Sequence, residues 1–442
     1  MSTPEVASPP KPAILRRVVL SSLIGTAVEY YDFVLYATMT ALVFDRLFFS
    51  ALDPGLATVA AFAAFAAGYV SRPIGGILFG HFGDRLGRKR MLVVTMAIMG
   101  VGSFLIGLLP TYETLGVAAP AMLVVLRVAQ GIAIGGEWGG ATLLVAEHAE
   151  ADSRGRSIGL MQMGAPIGTL LSTGVVAAVT LLGEDALLSW GWRIPFLFSA
   201  FLLVCGLYVR VSVPESPVFE HAVSTEASGS GRQRPLSRVL QRPRTLILAT
   251  AVGIGPFGLT ALINTYMLSY AKGIGYPLTD VITVSLFSSV TSLLTIPLFS
   301  ALSDRVGRRA VIMGGALAIV VYAVPFYSLV DSVSFPRLAV AWILAQVVQS
   351  AMYAPLGVLL SEMFDTEVRY TGVSMGYQLA AVLGAGFTPL IASSLLAGDM
   401  RSAPLVAIAI GCGVVTMLAI WLMKETRGRN LASPSKPRSA PR

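Results

Sequence analysis

Long apolar runs alternate along this chain with short polar segments rich in Lys and Arg. A helix needs about 20 mostly apolar residues to cross a bilayer. Twelve runs reach that length: 17–49, 56–80, 91–110, 119–147, 156–182, 193–212, 245–271, 278–301, 310–330, 336–361, 371–397 and 402–423. The pattern predicts an all-α membrane protein with twelve transmembrane helices. The longest internal polar segment divides six spans from six. The expected organisation is a cytoplasmic N-terminal tail (1–16), a six-helix half (17–213), a cytoplasmic central loop (214–244), a second six-helix half (245–424) and a disordered cytoplasmic tail (425–442), rich in Pro, Ser and Arg.

Spaced motifs predict that the halves are a pseudo-symmetric duplication. GHFGDRLGRKR follows the second span and SALSDRVGRR follows the eighth. Glu147 precedes Arg154 after span 4, as Glu362 precedes Arg369 after span 10. Glu215 closes span 6 and Glu425 closes span 12. Inverted and parallel repeats of this kind place a transporter's binding site at the midplane between halves. Charge sorting sets the orientation. With both termini inside, 25 of the 32 Lys and Arg fall in inside segments.

Composition narrows the class. The 442 residues are 55% hydrophobic and only 13% charged, where soluble domains run near about 25% charged. The net charge of +8 follows from basic loops and implies no nucleic-acid partner. Cys205 and Cys412 lie in apolar spans and argue against a disulfide framework or a metal site. His81, His148 and His221 are isolated, without metal-ligand spacing. The spans hold no nucleophile–base pair, which argues against an enzyme. No cofactor is implied.

Charges inside the spans are the candidate chemistry. Glu29 and Asp32 stand within one turn of the first span, and a charge at the bilayer centre costs at least about 2.5–3.5 kcal/mol. On span 4, Arg127, Gln130, Ile134 and Glu137 share one helical face. Arg72 stands in span 2. Rise per residue puts Glu29 and Glu137 at similar depth, with Asp32 about one turn further out. Two tiers are expected: Glu29–Arg72–Glu137, and Asp32–Arg127 nearer the middle. Three carboxylates against two arginines leave one carboxylate to carry a proton; Asp32 is the expected site, with Glu29 and Glu137 as further candidates. Arg127 is either its partner or the substrate's. Neutral groups for substrate contact are Tyr31, Tyr36, Gln130 and Gln162 in the first half and Asn264, Tyr266, Gln346, Gln349, Tyr353, Tyr377 and Gln378 in the second.

The loop motif Gly80-x-x-x-Asp84-Arg85-x-Gly87-Arg88 predicts a gate. Its glycines permit a tight turn, Asp84 can accept from a neighbouring helix N-terminus, and its arginines can bridge to Glu147 or Glu215. Arg154, Asp304, Arg305, Arg308, Glu362 and Arg369 complete the expected gate through the repeat.

These motifs resemble the major facilitator superfamily, and within it the metabolite:proton symporter branch, whose members include permeases for shikimate, α-ketoglutarate, citrate and proline/betaine. The residues that carry the resemblance are Glu29-Tyr30-Tyr31-Asp32-Phe33, Arg72-Pro73-Ile74-Gly75-Gly76, Gly135-Gly136-Glu137-Trp138-Gly139-Gly140 and Gly191-Trp192-Arg193-Ile194-Pro195-Phe196. One departure is Tyr30, where the branch commonly has Trp. The resemblance implies secondary active transport in a bacterial inner membrane by a monomer. Proton-coupled uptake of a small hydroxy or keto acid of the shikimate type is expected. The alternatives are a zwitterion of the proline/betaine type, or export by proton antiport. Met163-Gly164-Ala165-Pro166-Ile167-Gly168 matches the drug-antiporter signature only in part, which favours uptake. Proton-coupled sugar porters of the superfamily likewise pair an aspartate on helix 1 with an arginine on helix 4.

Overall fold

The structure is a computed structural model that describes residues 12–215, 235–396, 401–429 and 431. The described chain is helical, and the helices are numbered here by span. They are α1 (Pro12–Met39), α2 (Pro54–Leu86), α3 (Arg88–Leu108), α4 (Ala118–His148), α5 (Arg154–Gln162 and Gly164–Thr180), α6 (Arg193–Val211), α7 (Pro243–Thr260), α8 (Leu278–Val306), α9 (Arg308–Val330), α10 (Phe335–Tyr353 and Leu356–Met363), α11 (Arg369–Ala381) and α12 (Ala403–Leu422). All twelve predicted spans fall on helices, and the fold is twelve transmembrane helices in two pseudo-symmetric halves. Most of the central loop (216–234) and most of both tails (1–11, 430, 432–442) lie outside the described residues.

Three spans continue through a widened π turn. Thr40–Phe44 extends α1, Ala261–Tyr266 extends α7 and Val382–Gly386 extends α11. Such turns are rare and frequent at functional sites. In α1 and α7 they occupy matching places in the two halves, both towards the end remote from the basic loops.

Small residues set how close the helices come. A Cβ on Gly135 of α4 would run into the Arg72 carbonyl of α2. The absent side chain lets the two backbones touch, as membrane helix packing favours. Across the halves, α2 packs on α11 and α5 on α8; α1 and α7 make no comparable contact. The halves are therefore joined near the basic loops. Gly87 and Gly307 make the tight turns there, at φ 107° and 101°; with ψ near 150° this region of backbone space is essentially closed to other residues.

Candidate functional site: a sealed basic end and an open-handed core

At the basic end the two repeats build one cluster twice. Asp84 accepts hydrogen bonds from the Tyr370 and Thr371 N–H groups at the start of α11 (3.2 and 3.0 Å) and from the Thr371 hydroxyl (2.8 Å). Asp304 does the same at the start of α5, from Gly155 and Arg156 (2.9 and 2.8 Å). Each aspartate thus caps a helix of the opposite half, where the helix dipole favours an anion. Arg88 reaches Glu147 at 3.3 Å and Asp84 at 3.7 Å. Arg308, its mate, reaches Glu362 at 3.5 Å and Asp304 at 2.6 Å. Two further pairs cross between halves: Arg154 to Glu362 at 3.0 Å and Arg369 to Glu147 at 3.2 Å.

Glu215 accepts from the Arg88 and Lys89 N–H groups, and Glu425 from those of Arg308 and Arg309. The motif glutamates are therefore helix caps as well as charges. Gly80 lies directly against Thr371. Arg85 is partly buried, Arg305 is exposed, and neither forms an ion pair among the described residues.

The core of the first half is arranged differently from the two-tier expectation. Glu137 pairs with Arg210 of α6 at 2.5 Å, and both are almost fully buried. Arg72 instead lays its guanidinium over the rings of Tyr69 (4.0 Å) and Phe33 (4.7 Å). Glu29 is buried within electrostatic range of Glu137, Arg72 and Arg210, and its Oε2 has no hydrogen-bond partner among the described residues. Arg210 changes the charge count to three carboxylates and three arginines. Charge sorting counts Arg210 among the inside charges at the end of the sixth span, and the structure instead places it in the core. It stands at the end of α6 but turns inward past Gly25, where a Cβ would collide with its guanidinium. That glycine is the one sequence signal that could have found it.

Asp32 does not pair with Arg127. Its Oδ1 accepts a hydrogen bond from Ser199 of α6 at 2.6 Å, and Ser103 of α3 lies against it. Gln130 donates to Ser103 (2.8 Å), so a polar chain runs from α4 through α3 to Asp32. Both serines were missed, because a hydroxyl in an apolar span carries no pattern of its own. Arg127 is 1% exposed, and its guanidinium lies over Tyr36 (4.2 Å), Phe65 (5.1 Å) and Phe33 (5.4 Å). Its Nε and Nη1 have no hydrogen-bond partner among the described residues. Ring faces attract a guanidinium but do not satisfy its N–H donors.

Tyr31 is not at this site. Its hydroxyl donates to the Pro195 carbonyl (2.8 Å) in the α1–α6 packing, edge-on to Phe198. The turn that aims Asp32 and Tyr36 inward necessarily carries Tyr31 to another face.

In the second half, Ser288 donates to Gln346, Gln346 to Gln349, and Gln349 to Thr260, at 3.0, 2.9 and 2.8 Å. The helical spacing of the two glutamines makes this ladder across α8, α10 and α7. Asn264 is exposed and Tyr266 half-buried on the π turn of α7. Between the halves lies an aromatic plate. Trp138 of α4 stacks on Tyr377 of α11 with centroids 3.5 Å apart. The Tyr377 and Tyr353 hydroxyls are 3.2 Å apart, and Tyr30 of α1 reaches the Tyr353 hydroxyl. Gln162 donates to the Ala354 carbonyl and Gln378 to the Gly135 carbonyl, each across the halves.

Two like halves are thus held together at one end by ion pairs and helix caps. The comparisons with known proteins agree. Residues 18–233 match the family model described as sugar (and other) transporter, and residues 270–441 that of the major facilitator superfamily. The shikimate transporter of Escherichia coli K12 is 40% identical over 93% of this chain and 95% of its own. The inner membrane metabolite transport protein YhjE of the same organism is 38% identical over 94% and 95%. The proline/betaine transporter of that strain is 31% identical over 94% of this chain and 85% of its own. Among solved structures, a proton:xylose symporter bound to 6-bromo-6-deoxy-D-glucose superposes with a TM-score of 0.78 at 18% identity, covering 95% of this chain and 98% of that one. The chain is a multi-pass membrane transporter of small organic metabolites, not an enzyme, and it belongs to the major facilitator superfamily.

Proposed function

We propose that this transporter takes up a small hydroxylated or keto carboxylic acid together with protons. One observation carries the reading: Arg127 is buried in the first half, over three aromatic rings, and among the described residues no carboxylate pairs with it and two of its guanidinium nitrogens have no partner. A buried N–H without a partner costs free energy, and the cost is removed by an anion that arrives from outside. A substrate carboxylate fits that place, since guanidinium binds carboxylate with paired, charge-assisted bonds.

Asp32 supplies the proton site in this reading. It is buried beside two serine hydroxyls rather than a cation, so binding a proton relieves it of an unpaired charge within the membrane. Glu29, whose Oε2 is also unpartnered, is the second candidate. The Glu137–Arg210 pair neutralises its own charge, although Arg210 Nε and Nη1 keep no hydrogen-bond partner among the described residues, and it plays a structural part. Gln346, Gln349 and Thr260 offer donors and acceptors to substrate hydroxyls, and Tyr353, Tyr377 and Tyr30 offer three more at the junction of the halves. The basic end faces the cytoplasm, with both termini there, and the sealed cluster is the closed inner gate of a monomer. The two six-helix halves and the central loop between them belong to this reading.

A zwitterion of the proline/betaine type is the second reading. The likeness to the proline/betaine transporter, 31% identical over 94% of this chain, favours it. Uptake into proteoliposomes with an imposed inward proton gradient decides between them. Labelled shikimate, α-ketoglutarate or citrate accumulates if the first reading holds, and betaine if the second does. Gradient-independent equilibration of every substrate would overturn proton coupling. Asp32→Asn is expected to keep substrate exchange and lose gradient-driven accumulation; equal loss of both would make Asp32 a binding or structural residue.

A further inference from the structure

The chain does not leave the bundle after α12. Thr426 donates to Glu362 Oε2 at 2.6 Å, and Arg427 donates to the Arg305 carbonyl at 2.6 Å. The Arg429 guanidinium grips the end of α10, with bonds to the Glu362 carbonyl (2.6 Å) and to Asp365 (3.0 Å). These contacts are all within the second half, to which α12 belongs. The next ones are not. Arg154 of the first half donates to the Arg429 carbonyl at 3.2 Å. Leu431, 3% exposed, sits in an apolar cluster built chiefly from the first half, with Val18, Leu144, Val145, Ile158 and Met161. Its carbonyl accepts from Arg369 and Thr366, at 2.9 and 2.7 Å.

The two arginines that cross between halves therefore each hold the tail as well as their glutamate. Arg154 holds Glu362 and the Arg429 carbonyl; Arg369 holds Glu147 and the Leu431 carbonyl. The accepting carbonyls are two residues apart on one short segment. They can meet both arginines only while both inter-half ion pairs are formed, because only then are the donors at the required separation. Leu431 adds a condition of its own, since its pocket moves with the first half while its chain is tethered to the second.

We infer that Glu425–Arg429, together with Leu431, form a latch on the closed basic end. It binds when both inter-half arginine pairs are made, and its withdrawal is an obligatory part of opening there. The inference goes beyond the substrate and proton assignments and stands without them. It also replaces the expectation of a disordered tail from residue 425. Composition marks a Pro/Ser/Arg stretch as unable to bury a core of its own, but one leucine and two main-chain carbonyls suffice when the receptor site is already built.

The test is a distance measurement across the basic end of the full chain in nanodiscs. With Cys205 and Cys412 replaced, spin labels go on two exposed end positions, Leu86→Cys on α2 and Val306→Cys on α8. Electron–electron double resonance then gives the ratio of open to closed distances in the substrate-free protein. Leu431→Asp should raise that ratio about tenfold, equivalent to about 1.4 kcal/mol, and Arg429→Ala should raise it less. Truncation after Thr426 should match Leu431→Asp, and a synthetic peptide of residues 424–442 added to the truncated protein should restore the closed distances. Unchanged distances in folded Leu431→Asp protein would overturn the latch. So would a truncated chain that loses its fold, which would make the segment part of the core.

Discussion

The basic end and the membrane core hold similar residues in opposite condition. At the basic end Glu147 and Glu362 each meet two arginines, and Asp84 and Asp304 each meet an arginine and a helix start. In the core, Arg127, Arg72, Glu29 and Asp32 form no ion pair among the described residues, and only Glu137 and Arg210 pair. A network closed on itself resists change and makes one state definite. A buried charge left open is costly until something else completes it. The first arrangement suits a gate, the second a site whose missing partners are substrate and proton.

Substitutions can break this contrast, because the two regions should fail differently. The largest effect is expected from Arg127→Ala: transport should fall at least about a hundredfold, the loss of a charge-assisted contact, while the melting temperature in detergent stays level or rises, since an unsatisfied buried cation is removed. If stability collapses with it, Arg127 has a partner that the contrast denies. Next come Arg210→Ala and Glu362→Gln. Each strands a buried charge or its partner and should cost about 3–5 kcal/mol, read as a fall in thermal stability and in correctly inserted protein. The Glu362 variant should also shift the end-to-end distances towards open, and the Arg210 variant should not.

Gly307→Ala sharpens the comparison at smaller scale. Its backbone region admits essentially glycine alone, so the change should cost about 1–3 kcal/mol, and Gly87→Ala should match it if the repeats are equivalent. A difference between them would show that one copy of the turn bears more of the gate. The smallest effect is expected from Gln349→Ala. Losing one neutral hydrogen bond of about 1 kcal/mol should raise KM for a hydroxylated acid several-fold and leave the maximal rate unchanged, whereas an acid without hydroxyls should not respond.

Arg210 and Leu431 show where reading the sequence stopped. Arg210 follows an apolar span and precedes a polar loop, and by that pattern it belongs with the other loop arginines. Only the packing of α6 against α1 and α3 sends its side chain inward, through the gap left at Gly25. Leu431 lies in a Pro- and Ser-rich tail whose composition points to disorder. Its burial depends on a pocket assembled from α1, α4 and α5, which no local pattern can signal.

What the sequence alone determined is whatever depends on neighbours along the chain. Twelve spans follow from runs of apolar residues, the twofold plan follows from motifs repeated at near-constant offset, and the polar faces of α4 and α10 follow from helical spacing. The aspartates at the starts of opposite helices, and the Glu147 and Glu362 partners of the gate arginines, were legible because each motif occurs twice with the same chemistry. Tertiary structure decided which charges meet. Asp32 takes serines where an arginine was expected, Glu137 takes Arg210, Arg72 and Arg127 take rings, and Tyr31 turns to α6. Rise per residue sets depth in the membrane but not azimuth relative to a neighbouring helix. Ion pairing turns on a few ångströms in the azimuthal direction, and only the packed bundle supplies them.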